Sequence, residues 1–425
     1  MKKLLLLLLV TISFSVTAQD IYLHCGKLID TKSGEVLTEK TIIVSGNKIV
    51  SVENGYVNPK KSEDSIVDLK DKTVMPGLID LHVHIESETN PRSFVAKYTD
   101  NEADVAFQST VYAKRTLMAG FTTVRDLGGS GVNIALRKAI DAGKVDGPRI
   151  FTAGKIIAST GGHGDATNGA KTGLLEDPGP DEGVVNSAAD ARKAVRQRYK
   201  NGADVIKITA TGGVLSVAKN GSNSQFTVDE LEAVVETAKD YGMLTAAHAH
   251  GDEGMQRAVK AGIKTIEHGT FMSEVTMDLM KQKQSYLVPT ISAGKYVAEK
   301  AKIDGFYPAI IVPKALEVGP QLQGTFTKAY KRGVPIAFGT DAGVFPHGEN
   351  GKEFRYMEEA GMPAIETIQS ATITNAKLLN SENELGEIAA GFFADIVATN
   401  DDPTKKISTM ENIVFVMKNG VIYKK

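Results

Sequence analysis

The chain has one cysteine and no tryptophan in 425 residues, and neither sign of charge is in excess. Cys25 alone can form neither an intramolecular disulfide nor a zinc–thiolate site. Lys and Arg number 49 against 51 Asp and Glu, so there is no basic field to attract nucleic acid, and no local patch supplies one. Aromatic residues make up 6%, which argues against a carbohydrate-active barrel with its aromatic platforms and paired carboxylates. No glycine-rich GxGxxG or Walker loop follows the first barrel strand, which weakens a nucleotide-binding reading. What is present is 42% hydrophobic and 24% charged residues with 41 Gly and 14 Pro, the composition of a globular protein with ample core. Disordered, collagenous and polytopic membrane chains are excluded.

The N-terminus differs from the rest. Lys2 and Lys3 precede a largely apolar run over 4–16, and Val16, Thr17 and Ala18 supply small residues before Gln19. This predicts a cleaved signal peptide over 1–18 and a secreted or periplasmic mature protein. A membrane anchor would need about 20 apolar residues. Cleavage removes two lysines and leaves a mildly acidic chain with no expected membrane contact.

From 20 to 74, short β-rich runs alternate with turn signals, predicting a small antiparallel unit. The far end matches it with runs over 394–398, 413–417 and 421–423, the last two separated by Asn419-Gly420. The two ends, 19–76 and 377–425, are expected to pair into one β-sandwich. Between them, over 77–376, eight apolar runs alternate with amphipathic helical stretches: 78–84, 121–126, 149–154, 204–210, 243–249, 264–268, 286–291 and 335–341. Helices are expected over 104–119, 132–142, 187–201, 228–241 and 274–284, the fourth of these with a capping box from Thr227 and Glu230. Eight such repeats predict an α/β fold, a closed (β/α)8 TIM barrel.

Chemistry in such a barrel sits at the C-terminal ends of the strands. The first run ends in His82-Val83-His84, two imidazoles that a strand points to one side, where they can share a metal. The second ends in Arg125-Asp126, the fourth carries Lys207, and the fifth, sixth and eighth end at His248, His268 and Asp341. Taken singly, a strand-end histidine is more often a hydrogen-bonded structural residue, and a strand-end aspartate often caps the next helix. Four of the eight histidines at the ends of converging strands, with an aspartate on the last, make coincidence a poor explanation. Lys207 is the most informative residue. A buried lysine tends towards neutrality, and a neutral amine can react with carbon dioxide to give a carbamate, an anion able to bridge two cations.

These residues resemble the binuclear type of the amidohydrolase superfamily. The resemblance spans the mature chain, including Pro76-Gly77-Leu78-Ile79-Asp80 before the first histidines, Thr340-Asp341-Ala342-Gly343, and the returning segment Gly391-Phe392-Phe393-Ala394-Asp395. Within the superfamily the chain is similar to the imidazolonepropionase-related group that includes Xaa-Pro dipeptidases, through Ser159-Thr160-Gly161-Gly162-His163, His248-Ala249-His250-Gly251 and Ile266-Glu267-His268-Gly269. The resemblance implies two divalent metal ions, zinc being expected, on His82, His84, Lys207, His248, His268 and Asp341, with Lys207 carboxylated. It also implies a bridging hydroxide that attacks a carbonyl, with Asp341 as the catalytic proton carrier. His163 and His250 are the expected substrate contacts, although members of the group often carry tyrosine where His250 stands. The expected reaction is hydrolysis of an amide C–N bond in a small-molecule or dipeptide substrate, with Xaa-Pro dipeptides first. Cyclic amides or imidazolone rings are the alternative, and a non-catalytic metal-binding barrel is the reading from another class. An oligomer is compatible with the sequence.

Overall fold

The computed structural model describes residues 19–425, so the expected signal peptide lies outside the described residues. Strands β1 (Asp20–Ile29), β2 (Val36–Ser45), β3 (Lys48–Asn54) and β4 (Ser65–Pro76) open the chain. Seven barrel runs follow as regular strands, β5 (Leu78–Val83), β6 (Phe121–Asp126), β7 (Arg149–Thr152), β10 (Val205–Thr209), β11 (Leu244–Ala249), β12 (Thr265–His268) and β13 (Tyr286–Val288), with a short separate pair, β8 (Ala158–Ser159) and β9 (Val184–Val185), between the third and the fourth. The chain ends in β14 (Ile396–Thr399), β15 (Phe415–Lys418) and β16 (Val421–Lys424).

The two ends of the chain form one sheet, in the order β16-β15-β14-β4-β1-β2-β3. It is mixed, correcting the expectation of a purely antiparallel unit: β1 runs parallel to β4, because β4 returns beside β1 from the far side of the β2–β3 hairpin. The sheet curls so that Ile49 of β3 exchanges backbone bonds with Gly391 and Phe392, and Gly420 bonds to Ala394. The two faces of the sandwich are therefore one continuous sheet wrapped over a core that includes Leu23, Ile42, Val67, Ile396 and Phe415. Cys25 is buried within this core.

The barrel is parallel throughout, β5-β6-β7 and β10-β11-β12-β13. The segment 335–341 is too irregular to count as a strand, but it closes the barrel. Ala337 N donates to Leu287 O at 2.9 Å, Leu81 N to Phe338 O at 3.1 Å and Asp341 N to His82 O at 2.7 Å. Ile157 closes the other gap, bridging to Ile208. The expected helices form over Glu102–Met118, Val132–Asp141, Ala188–Asn201, Val228–Asp240 and Glu274–Lys283, and Thr227 with Glu230 makes the capping box. Further helices not read from the sequence include Asp252–Ala261, Ile291–Lys300, Val312–Val318 and Gln321–Arg332. Among the described residues, no helix is long and apolar enough to cross a membrane.

Candidate active site

A cavity of about 350 Å³ opens at the C-terminal ends of the barrel strands. All eight residues singled out from the sequence line it: His82, His84, His163, Lys207, His248, His250, His268 and Asp341. The rest of its wall is mostly apolar, with Ile156, Val214, Leu215, Val297, Val318 and Leu322.

Strand parity puts His82 and His84 on one side of β5, with ring centroids 5.4 Å apart. Their orientation is set by what their other nitrogens touch. His84 Nδ1 lies 2.7 Å from Gly128 O. A carbonyl can only accept, so this nitrogen carries the proton and Nε2 is left with a lone pair. His82 Nδ1 lies 2.9 Å from the Glu267 carboxylate, with the same consequence. Both Nε2 atoms face Asp341 Oδ1, at 3.5 Å from His82 and 3.4 Å from His84. That oxygen is buried and has no hydrogen-bond partner. Two imidazole lone pairs thus face an unpartnered carboxylate oxygen in a buried place, an arrangement that suits a cation.

His268 joins this group. One donor atom each from His82, His268 and Asp341 lie within 4.8 Å of one another. His268 Nδ1 lies 2.7 Å from Thr290 Oγ1. His248 is oriented the other way round: Nε2 donates to Gly212 O at 3.0 Å, leaving Nδ1 with the lone pair. The His248 ring stands 4.6 Å from His268 and 4.3 Å from His163. His250 Nδ1 contacts Thr270 Oγ1 at 2.7 Å, and its ring lies 5.0 Å from His268.

The backbone is bent to make this possible. His268 has φ 72°, Asp341 62° and Thr290 51°. In a regular strand, neighbours point to opposite faces, so Glu267 and His268 could not both serve the same site. The left-handed turn at His268 lets Glu267 reach His82 while His268 enters the cavity. Such conformations cost about 1–3 kcal/mol each and persist only where the surroundings enforce them.

Burial controls the protonation states. It lowers His82, His248 and His268 far below the ordinary imidazole value, and takes His84 to about 4 and His163 and His250 to about 3. The rings are neutral and suited to act as ligands or hydrogen-bond partners. Burial also pushes the Lys207 ammonium down to about 8, against the pull of Glu267 and Asp341. Its Nζ stands 3.5 Å from His82 Nε2. Burial raises the Asp341 carboxyl, with Lys207 opposing.

The roles of several supporting residues were not legible in the sequence. Glu267 receives Arg125 Nη2 at 3.0 Å as well as His82, and both it and Arg125 are fully buried. Asp80 ties the first and eighth runs together, accepting from His82 N at 3.0 Å, Thr340 N at 3.1 Å and Thr340 Oγ1 at 2.6 Å. Asp126 holds the His84 loop, accepting from Ile85 N at 2.8 Å and Gly128 N at 3.2 Å. The available signal was a charged or hydroxyl residue placed within an apolar run, as in Ile266-Glu267-His268 and Gly339-Thr340-Asp341.

A closed parallel barrel with histidines and an aspartate converging at its C-terminal mouth defines the metal-dependent hydrolase barrels as a class. The chain belongs to the amidohydrolase family, whose profile matches residues 73–423, and it is a hydrolase acting on carbon–nitrogen bonds. Among solved structures it is similar to a Xaa-Pro dipeptidase with methionine bound in the active site (53% identity, TM-score 0.93, covering 96% of this chain and 100% of that one). It is also similar to a prolidase complexed with N-methylphosphonate-L-proline (31% identity, TM-score 0.85, covering 96% and 100%). Among curated proteins, ochratoxinase of Aspergillus niger is 30% identical over 430 residues, covering 95% of this chain and 86% of the relative.

Proposed function

We propose that this protein is a metal-dependent dipeptidase of Xaa-Pro type. The observation that carries the reading is the likeness to a Xaa-Pro dipeptidase at 53% identity over nearly the whole chain. The unpartnered Asp341 Oδ1 facing two imidazole lone pairs supports a metal centre. Two divalent ions, zinc first, would be held by His82, His84, His248, His268 and Asp341 together with a carbamate on Lys207. Once bound, such ions acidify a water molecule and polarise the scissile carbonyl.

The protein's own residues do the rest. The Asp341 carboxylate takes a proton from the attacking water and returns it to the leaving nitrogen, without which an amine leaves poorly. Glu267 and Gly128 O hold the His82 and His84 rings in the required tautomer. His163, whose Nδ1 is buried without a partner, and His250 orient the substrate, its carboxylate being the group they suit. The apolar wall of Ile156, Val214, Leu215, Val297, Val318 and Leu322 excludes water and suits an uncharged side chain, whose burial contributes about 1.5–3 kcal/mol.

The test is a screen of metal-loaded protein by mass spectrometry, scored for loss of substrate and appearance of its hydrolysis product, with Xaa-Pro dipeptides beside other dipeptides, hydantoins, lactones and imidazolones. Turnover of apolar Xaa-Pro dipeptides above the rest is expected. Turnover of ring substrates alone would overturn the reading. The Aspergillus niger relative favours a second reading, ochratoxin-type amides, which belong in the same screen. The apolar run after Lys2 and Lys3 supports a secreted or periplasmic location, and a mature protein beginning at Gln19 is the expected result of N-terminal sequencing.

A further inference from the structure

Lys314, on the helix Val312–Val318, is buried and lies outside the set of residues assigned above. Its Nζ donates to Gly213 O at 3.1 Å, to Ala218 O at 2.8 Å and to Ser216 O. An ammonium has three N–H donors, so all three are committed to the loop that follows β10. Among the described residues no acidic partner pairs with it, and burial lowers its pKa to about 8. A buried ammonium costs free energy, which its three carbonyl acceptors offset in part.

The loop it grips is in contact with the site at three points. Gly212 O accepts His248 Nε2–H at 3.0 Å, which sets the tautomer of that ring. A Cβ on Gly213 would stand 2.3 Å from the His163 ring, so the ring lies flush against the loop backbone. Val214 and Leu215 form part of the cavity wall, and Val318 and Leu322, beyond Lys314 on the same side, form another part. Lys314 therefore joins two walls of the cavity through a part of the chain that touches His163 and His248.

We propose that Lys314 is a positioning residue for substrate binding, holding the 213–218 loop so that His163 keeps its orientation. It acts through the loop and does not touch the substrate. The inference rests on the reading of this cavity as the substrate site.

The test compares Lys314→Met and Gly213→Ala with the unaltered full chain, using hydrogen exchange and, with Leu-Pro as the probe, steady-state kinetics. Lys314→Met is expected to accelerate amide exchange at least tenfold over 211–219 while leaving the barrel strands protected. It is expected to raise KM for Leu-Pro at least tenfold with kcat within threefold. Gly213→Ala, which displaces the His163 ring with Lys314 intact, is expected to raise KM similarly with kcat within threefold, and it carries the test if Lys314→Met does not fold. Wild-type exchange over 211–219 in Lys314→Met would overturn the proposal. So would a loss of stability with unchanged KM and kcat, or an unchanged KM in folded Gly213→Ala. If the unaltered protein does not cleave Leu-Pro, the exchange comparison still decides the role of Lys314, and the failure falls on the dipeptidase reading alone.

Discussion

Glu267→Gln separates the two tasks of one fully buried carboxylate of the barrel. Glu267 is fully buried between Arg125 Nη2 at 3.0 Å and His82 Nδ1 at 2.9 Å, and Arg125 is fully buried as well. Glutamine keeps the shape but leaves the guanidinium unpaired, and breaking a buried pair from one side costs about 3–5 kcal/mol. Whole domains are stable by only about 5–15 kcal/mol, so the change should be conspicuous in the denaturant midpoint. The second effect falls on the metal centre. His82 loses an anionic partner that keeps its proton on Nδ1, and such losses weaken metal binding about 10–100-fold. Chelator competition with zinc measures that term directly. The double variant Arg125→Met/Glu267→Gln removes both charges, so it should recover much of the stability while metal affinity stays low. Wild-type stability together with wild-type zinc affinity in Glu267→Gln would refute the argument. Recovery of both in the double variant would refute the claim that the two tasks are separate.

Three other predictions follow from the same geometry. Lys207→Ala should lose nearly all hydrolytic activity and regain part of it with a short-chain carboxylic acid, as a bridging anion requires; an active alanine variant without added acid would exclude the carbamate. Thr290→Val removes the oxygen 2.7 Å from His268 Nδ1 and should lower zinc affinity about tenfold by the same chelator competition, with little change in His84 orientation. Lys418, buried in β15 and donating to Gly147 O at 2.8 Å, is lowered by burial from 10.5 to about 8. Between pH 8 and 10.5 the unfolded chain binds more protons at this site, so its contribution to stability rises with pH by up to about 3 kcal/mol, and the penalty is fully present below pH 8. Urea midpoints at pH 7.5 and 10 should rise less in Lys418→Met than in the unaltered protein.

Much of the site was legible because strand chemistry is local. His82 and His84 share a face by parity alone, and Lys207, His248 and Asp341 stand at or near the ends of apolar runs whose direction a repeated βα pattern prescribes. The eighth run was read as a strand from its composition, yet over 335–341 it closes the barrel through scattered bonds, since Gly339 and the left-handed turn at Asp341 break the regular ladder. In the terminal sheet the parallel pairing of β1 with β4 was missed. Alternation announces a strand but does not say which neighbour it takes.

By itself the sequence determined the barrel and the placing of His82, His84, Lys207, His248, His268 and Asp341 at its mouth, because these depend on residue type and on periods of two or 3.6 along the chain, whereas His163 and His250 were expected from the family resemblance. Only the tertiary structure decided which of those side chains meet and in what state. His82 depends on Glu267, 185 residues away, and Glu267 on Arg125, 142 residues away, contacts that exist only once the sheet has closed. The same closure excludes water, and it is the loss of water that holds six of the eight histidines neutral around one cavity.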